Sequence, residues 1–312
     1  MRDPQELYEL TGEVPDQGEP VLIQAMSGFV DAGGATRLAR DHLLATGSPQ
    51  MVASFDVDQL LDYRSRRPTM LFVEDHWESY DQQVLAMHLL RDAVGTPYLL
   101  LSGPEPDLQW DRFIEALIGL VERFRVRLTV GLNAIPMAVP HTRPVGITAH
   151  ATRPELVSDY RPWIHRVQVP ASAGNLLEFR LGQRGHDAMG FAAHVPHYLV
   201  QNDYPAAAEA LLHAVSKATG LVLPTDPLRE AAEKLRAQVD EQIANALEVA
   251  AHVRGLEEQY DAVMRSRGAD SLLGDRTTLP TAEELGAELE RFLAEQARRD
   301  NPPGSPSSQS SS

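Results

Sequence analysis

Between Val21 and about Pro224, short apolar runs alternate with stretches of helical periodicity, and this alternation constrains the fold more than any other feature. Val21–Met26, Met51–Phe55, Met70–Val73, Tyr98–Leu101, Arg127–Leu132, Val145–Ala149 and Ala188–Val195 are rich in Val, Leu, Ile and aromatic residues and read as strands. Gly34–Ala45, Leu108–Phe124, Ser172–Gln183 and Pro205–Thr219 read as helices. In the second of these, Phe113, Leu117, Leu120, Val121 and Phe124 recur three or four residues apart. Strands alternating with helices predict an α/β sheet covered on both faces. The stretch Val84–Leu101 holds no helix. An antiparallel pair turning at Val94-Gly95-Thr96-Pro97 would make the sheet mixed.

The flanks read differently. Residues 1–20 are polar, carry Pro4, Gly12, Pro15, Gly18 and Pro20, and read as a lead-in arm or a short edge hairpin. The α/β body is expected over 21–225, a helical extension over 226–299, and a disordered tail over 300–312. Asp226 suits a helix N-cap and Pro227 the first helical position, where a missing N–H costs nothing. From Ala232 through Leu235, Val239, Gln242, Ala246, Val249, Val253, Leu256 and Tyr260 to Val263 runs a heptad-like seam with one polar member. A continuous helix there would be about 60 Å long. Its apolar face needs a partner, either the body, another helix of the chain or a second subunit. Thr281-Ala282-Glu283-Glu284 is a capping box that opens another helix, and Asn301–Ser312 is Pro, Gly, Ser and Gln.

Composition removes several classes of function. Among 312 residues, 28 are Lys or Arg and 44 Asp or Glu, for a net charge of −16. A general nucleic-acid or anionic-membrane binder needs a basic face, so neither partner is expected. No window approaches the roughly 20 apolar residues of a spanning helix. Met1-Arg2-Asp3-Pro4-Gln5-Glu6 has no apolar h-region, so a cytoplasmic protein is expected. The chain has no cysteine, which excludes disulfide and thiolate chemistry. Lys217 and Lys234 are its two lysines, so Schiff-base catalysis or a lysine clamp on a nucleotide has only those candidates.

Chemistry has few places to sit. Ser27-Gly28-Phe29-Val30-Asp31-Ala32-Gly33-Gly34 follows the first long strand and opens a helix. Gly28, Gly33 and Gly34 there could bring backbone N–H groups to an anion, or simply make a tight turn. The pattern is neither a P-loop nor Gly-x-Gly-x-x-Gly. Pro140-His141-Thr142-Arg143-Pro144 and His194-Val195-Pro196-His197-Tyr198 both follow strand-like runs, where α/β sheets place their ligand crevice. His141 and Arg143 could hold a phosphate or carboxylate, and His194 or His197 could shuttle a proton, or all could be scaffold. Glu74-Asp75-His76, Glu105 and Asp107 lack metal-ligand spacing and read as solvated loop ends. No metal and no cofactor is expected, and no Gly-x-Ser-x-Gly elbow or His-Glu-x-x-His helix appears.

These residues nevertheless carry a resemblance. With Asp62-Tyr63-Arg64-Ser65-Arg66-Arg67-Pro68, Gly103-Pro104-Glu105-Pro106-Asp107, Trp110 and Ile135-Pro136 added to the three segments above, the chain resembles the proteasome assembly chaperone family. The similarity is to its actinobacterial branch, of the type named for the second subunit, and covers roughly residues 20–225. The resemblance implies a three-layer α/β/α sandwich with a mixed sheet, similar to purine nucleoside phosphorylases. It implies a noncatalytic, homo-oligomeric partner of proteasome core subunits, a trimer by the phosphorylase-like comparison. The alternative is a small-molecule binder or enzyme using the crevice, either phosphorylase- or hydrolase-like or ATP-grasp-like, with His141, Arg143 and His197 as candidates. Scarce lysine speaks against an ATP-grasp site, since arginine is not the same compact donor.

Overall fold

The computed structural model describes residues 3–11, 18–28, 30–163, 166–244 and 246–269. The chain falls into two compact units, Met1–Pro162 with Pro170–Val263, and Trp163–Val169 with Met264–Ser312. In the second, 166–169 is exposed and without regular structure. The architecture below is that of the first.

Its elements, in chain order, are β1 (Tyr8–Leu10), β2 (Val21–Ser27), α1 (Ala35–Thr46), β3 (Gln50–Phe55), α2 (Val57–Leu60), β4 (Met70–Val73), β5 (His76–Tyr80), β6 (Ala86–Arg91) and β7 (Pro97–Pro104). There follow α3 (Trp110–Arg123), β8 (Leu128–Met137), β9 (Ile147–Ala151), α4 (Ala173–Gln183), β10 (Ala188–Pro196), α5 (Pro205–Thr219), α6 (Asp226–Ala244) and α7 (Leu247–Ala269). Eight strands form one sheet in the order β1-β3-β6-β7-β2-β8-β10-β9. The central four, β7, β2, β8 and β10, are parallel. Antiparallel strands finish both edges, β6, β3 and β1 on one side and β9 on the other.

Side-chain alternation explains the layers. Val21, Ile23 and Ala25 of β2 enter a core shared with α1, α5 and α6, whereas Leu22 enters the opposite core with α3 and α4. Both faces are covered, so β2 is buried from Val21 through Met26 and apolar there apart from Gln24. In α3, Phe113, Leu117, Leu120 and Val121 are all buried, as their spacing requires. Gly220 ends α5 in a left-handed conformation, with φ of 80°. The sandwich and its mixed sheet are those expected from the sequence, including the β6–β7 turn. Asp92 organises that turn, accepting from Val94 N and Thr96 N at 3.0 and 2.7 Å and from Val222 N at 2.8 Å. Burial alone would raise its pKa, but these N–H groups hold the carboxyl below its ordinary value.

Two expectations need correction. Met70–Val73 is a strand, but it pairs with β5 in a separate two-stranded hairpin outside the main sheet. Alternation cannot distinguish the two, because an apolar strand reads the same whether or not a layer covers it. Glu74-Asp75 turns that hairpin, Glu74 having φ of 51°. Where one continuous helix from Asp226 was expected, the structure has two, α6 ending at Ala244 and α7 starting at Leu247. Near the break the seam is not covered, since Gln242 and Val249 are exposed. The seam's first half packs within the chain, with Leu228 and Val239 buried in the α1–α5 core and Leu235 and Ile243 against it. Of the arm, β1 pairs antiparallel with β3 at the sheet edge. The capping box at Thr281 and the tail lie outside the described residues. Among the described residues, no helix is long and apolar enough to cross a membrane.

Candidate functional site

All four parallel strands end on one edge of the sheet, at Ser27, Pro104, Met137 and Pro196, and the segments singled out from the sequence gather there. Their polar groups are engaged within the chain, with one another and with α6 and α7.

The glycine loop comes first. Gly33 has φ of 64°, and a Cβ there would stand 2.6 Å from Tyr204 Cβ, so only glycine fits. Five successive N–H groups at the start of α1 are spent inside the chain. Gly33 N donates to Val200 O and Gly34 N to Asp31 O, both at 3.0 Å, and Ala35 N donates to Ala32 O. Thr36 N and Arg37 N donate to the Asp31 carboxylate at 2.7 and 3.0 Å. Where an anion would dock, the chain has placed its own carboxylate. Gly28 lies against another, a Cβ there being 3.1 Å from Glu105 Oε2.

Glu105 and Asp107 are not the solvated loop ends expected. Glu105 is 6% exposed and accepts from Ala173 N at the start of α4 at 2.5 Å. Asp107 accepts from Asp62 N at 2.9 Å and from Arg66 Nε and Nη2 at 3.2 and 2.5 Å. Two of the resembling segments, Asp62–Pro68 and Gly103–Asp107, thus tie each other down.

His141, Arg143 and His197 do come together, under the helical extension. His141 N donates to the Tyr198 hydroxyl at 2.9 Å, and that hydroxyl lies 2.7 Å from His141 Nδ1. His141 Nε2 lies 3.1 Å from Asp240 Oδ1 on α6. Both ring nitrogens of His141 are thus engaged, Nδ1 with the Tyr198 hydroxyl and Nε2 with the Asp240 carboxylate. Arg143 Nε and Nη2 each donate at 2.8 Å to the two oxygens of Asp261 on α7, in a bidentate pair. Arg143 Nη1 reaches Glu257 Oε1 at 3.3 Å, and the Thr142 hydroxyl donates to the same oxygen. Tyr260 O–H donates to Pro144 O at 3.1 Å. The His197 ring meets His252 of α7 edge to face, with centroids 5.6 Å apart. Burial, and then the like-charged His252, lower the His197 pKa, while Asp261 above all raises that of Arg143. His194 is buried and lies 2.8 Å from the Thr148 hydroxyl through Nε2.

The arrangement is a clasp. The loop at the end of β8 supplies donors, and α6 and α7 supply Asp240, Glu257 and Asp261 as acceptors. Sequence reasoning missed these three acids because it followed the apolar seam, although Glu257 and Asp261, one turn apart, mark one helix face. Among the described residues, no three His, Cys, Asp or Glu side chains converge in a way that could hold a metal.

Comparisons with known proteins agree with the architecture. None of the curated proteins matches the chain. A Mycobacterium tuberculosis protein of unknown function, Rv2714, is 51% identical over 93% of this chain and 96% of its own, with a TM-score of 0.83. A Corynebacterium glutamicum protein of unknown function is 39% identical over 83% of this chain and 99% of its own, with a TM-score of 0.79. The M. tuberculosis proteasome-assembly chaperone homologue Rv2125 is 26% identical over 75% of this chain and 99% of its own, with a TM-score of 0.69. The family model described as PAC2 matches residues 25–243, which take in six of the eight sheet strands whole, the end of β2, the clasped loop and nearly all of α6. The chain therefore belongs to the PAC2 family, the proteasome assembly chaperone 2-like proteins.

Proposed function

We propose that the chain is a noncatalytic interaction protein that assists the assembly of a proteasome-type complex. The observation that carries this reading is the β4–β5 hairpin. Met70, Leu71, Phe72, Trp77 and Tyr80 are each about half exposed or more, with Trp77 at 62%. The Phe72 and Trp77 rings pack on each other, with centroids 5.1 Å apart. An isolated two-stranded hairpin is marginal in water, and contiguous exposed aromatic surface marks an interaction site. The similarity to a proteasome-assembly chaperone homologue supplies the kind of partner, proteasome core subunits. The same surface suits association between copies of the chain, a trimer by the phosphorylase-like resemblance.

The crevice reading, with His141, Arg143 and His197 serving a reaction, draws less support. Arg143 and His141 spend their polar atoms on the clasp, and the loop that would take an anion holds Asp31 instead. Lys217 pairs with Asp159 at 3.0 Å on the surface, far from a nucleotide role.

Co-purification of the tagged chain with co-expressed proteasome core subunits tests the proposal. The wild type is expected to retain them, and Phe72→Ser with Trp77→Ser to lose at least about tenfold, since buried aromatic anchors dominate interfaces. Both positions are exposed, so the body should melt as before. Retention by the double variant would remove the hairpin from the account, and no retention by the wild type would remove the partner.

A further inference from the structure

Where α5 and α6 lie side by side, the packing opens into a cavity of about 440 Å³. That volume is in the range of small-molecule sites, about 300–1,000 Å³. Side-chain size explains the opening. Ala206 and Ala210, one turn apart on α5, and Ala232 on α6 line it, over a floor that includes Leu199 and Val239. A gap between alanines is not a site by itself, but the Tyr204 hydroxyl and the Arg236 guanidinium both line this one.

Tyr204 lines the cavity and is 5% exposed, yet its hydroxyl makes no hydrogen bond among the described residues. Its backbone N–H is held by Gly33 O at 2.8 Å, so the ring is fixed in place. Burial pushes its pKa up to about 12, which leaves it a neutral donor. Arg236 on α6 also lines the cavity, and its charge acts on Tyr204. Its Nε is 3.9 Å from Asp240 Oδ2, beyond hydrogen-bond reach. Asp240 also faces His141, Asp261 takes Arg143, and both His141 ring nitrogens are engaged, so the Arg236 guanidinium keeps donors to spare. Glu209, which also lines the cavity, approaches Thr225 Oγ1 at 3.4 Å beside His213. Glu233 stands one turn from Arg229 and one turn from Arg236, and is exposed.

We infer that this cavity binds a small aliphatic carboxylate, its oxygens on the Tyr204 hydroxyl and the Arg236 guanidinium and its chain along Ala206, Ala210 and Ala232. Phenol and guanidinium together match a carboxylate's two oxygens, and a phenol donor without a partner among the described residues is free to take an acceptor that enters. The inference stands apart from the assembly role, because the test needs only the isolated chain. Its failure would leave that role untouched.

Calorimetric titration of the full chain with decanoate, decanol and decylamine, all below their micellar ranges, tests it. Decanoate is expected to bind saturably and about tenfold or more tightly than decanol, the effect of one charge-assisted hydrogen bond, and decylamine to bind weakest. Tyr204→Phe keeps the ring and Arg236→Gln alters an exposed side chain, and each should weaken decanoate about tenfold. Ala210→Leu should fill the cavity and abolish binding. The inference is overturned if decanoate fails to saturate at millimolar concentration, if decanol or decylamine matches it, or if Arg236→Gln binds it as well as the wild type.

Discussion

A chain ended at Pro224 is expected to melt on the order of 10 °C below the full chain, or to lose solubility. Leu228 and Val239 are 7% and 8% exposed in the α1–α5 core, and Leu235 and Ile243 rest against it. At about 1.5–3 kcal/mol for each fully buried aliphatic side chain, the first two contribute about 3–6 kcal/mol. In a domain of this size, 1 kcal/mol shifts Tm by about 2–4 °C. Truncation also removes Asp240, Glu257 and Asp261, leaving the His141 and Arg143 donors without their acceptors. Full-length Arg143→Gln separates the two effects. It breaks only the pair with Asp261 and Glu257, so the core keeps its apolar cover and the melting temperature should stay near that of the wild type. Amide exchange over 247–263 should accelerate all the same. Calorimetry and hydrogen exchange read these outcomes. A truncated chain with unchanged Tm would show that α6 is an appendage, not part of the core.

Gly103→Ala is expected to destabilise the body by about 3–5 kcal/mol, among the largest effects of any single substitution. Gly103 has φ of 129°, a conformation nearly closed to other residues. A Cβ there would stand 2.2 Å from Val84 O and 2.6 Å from Leu85 Cα, which are backbone atoms that cannot swing aside. Moving them disturbs the Phe55 N to Leu85 O hydrogen bond at 2.9 Å, and with it the β3 edge. Gly119, inside α3, is the contrast. A Cβ there meets nothing within 4 Å, so Gly119→Ala should be neutral or stabilise by up to about 1 kcal/mol. Denaturant unfolding distinguishes the pair. Equal midpoints for the two variants would contradict the close approach at the end of β7.

Local signals carried the fold well where they were dense. The periodicity of α3, the Pro205 start and Gly220 stop of α5, and the Gly95 turn before β7 each act over a few residues, so one sequence suffices to read them. What failed depends on distance. Met70–Val73 looked like any buried strand, because whether a layer covers it is decided by parts of the chain far away. The clasp spans more than ninety residues, from His141 to Asp240 and from Arg143 to Asp261, and no local pattern announces which acid will meet which base. His141 and Arg143 were legible as special, being charged or polar groups at a strand end. Their role was not, since an arginine waiting for a substrate and one holding a helix have the same sequence. Glu105 shows the same limit, with a polar residue between prolines turning out buried against a helix start.

The assembly role is tested most directly by the proteasome core particle in cells that lack this chain. Native electrophoresis and mass spectrometry of the particle in the deletion strain, with the wild-type chain or its Phe72→Ser, Trp77→Ser variant restored, report assembly itself. The expected result is an accumulation of partly assembled core subunits on deletion, reversed by the wild type and not by the variant. An unchanged assembly profile on deletion, with no core subunit co-purifying with the wild-type chain, would contradict it.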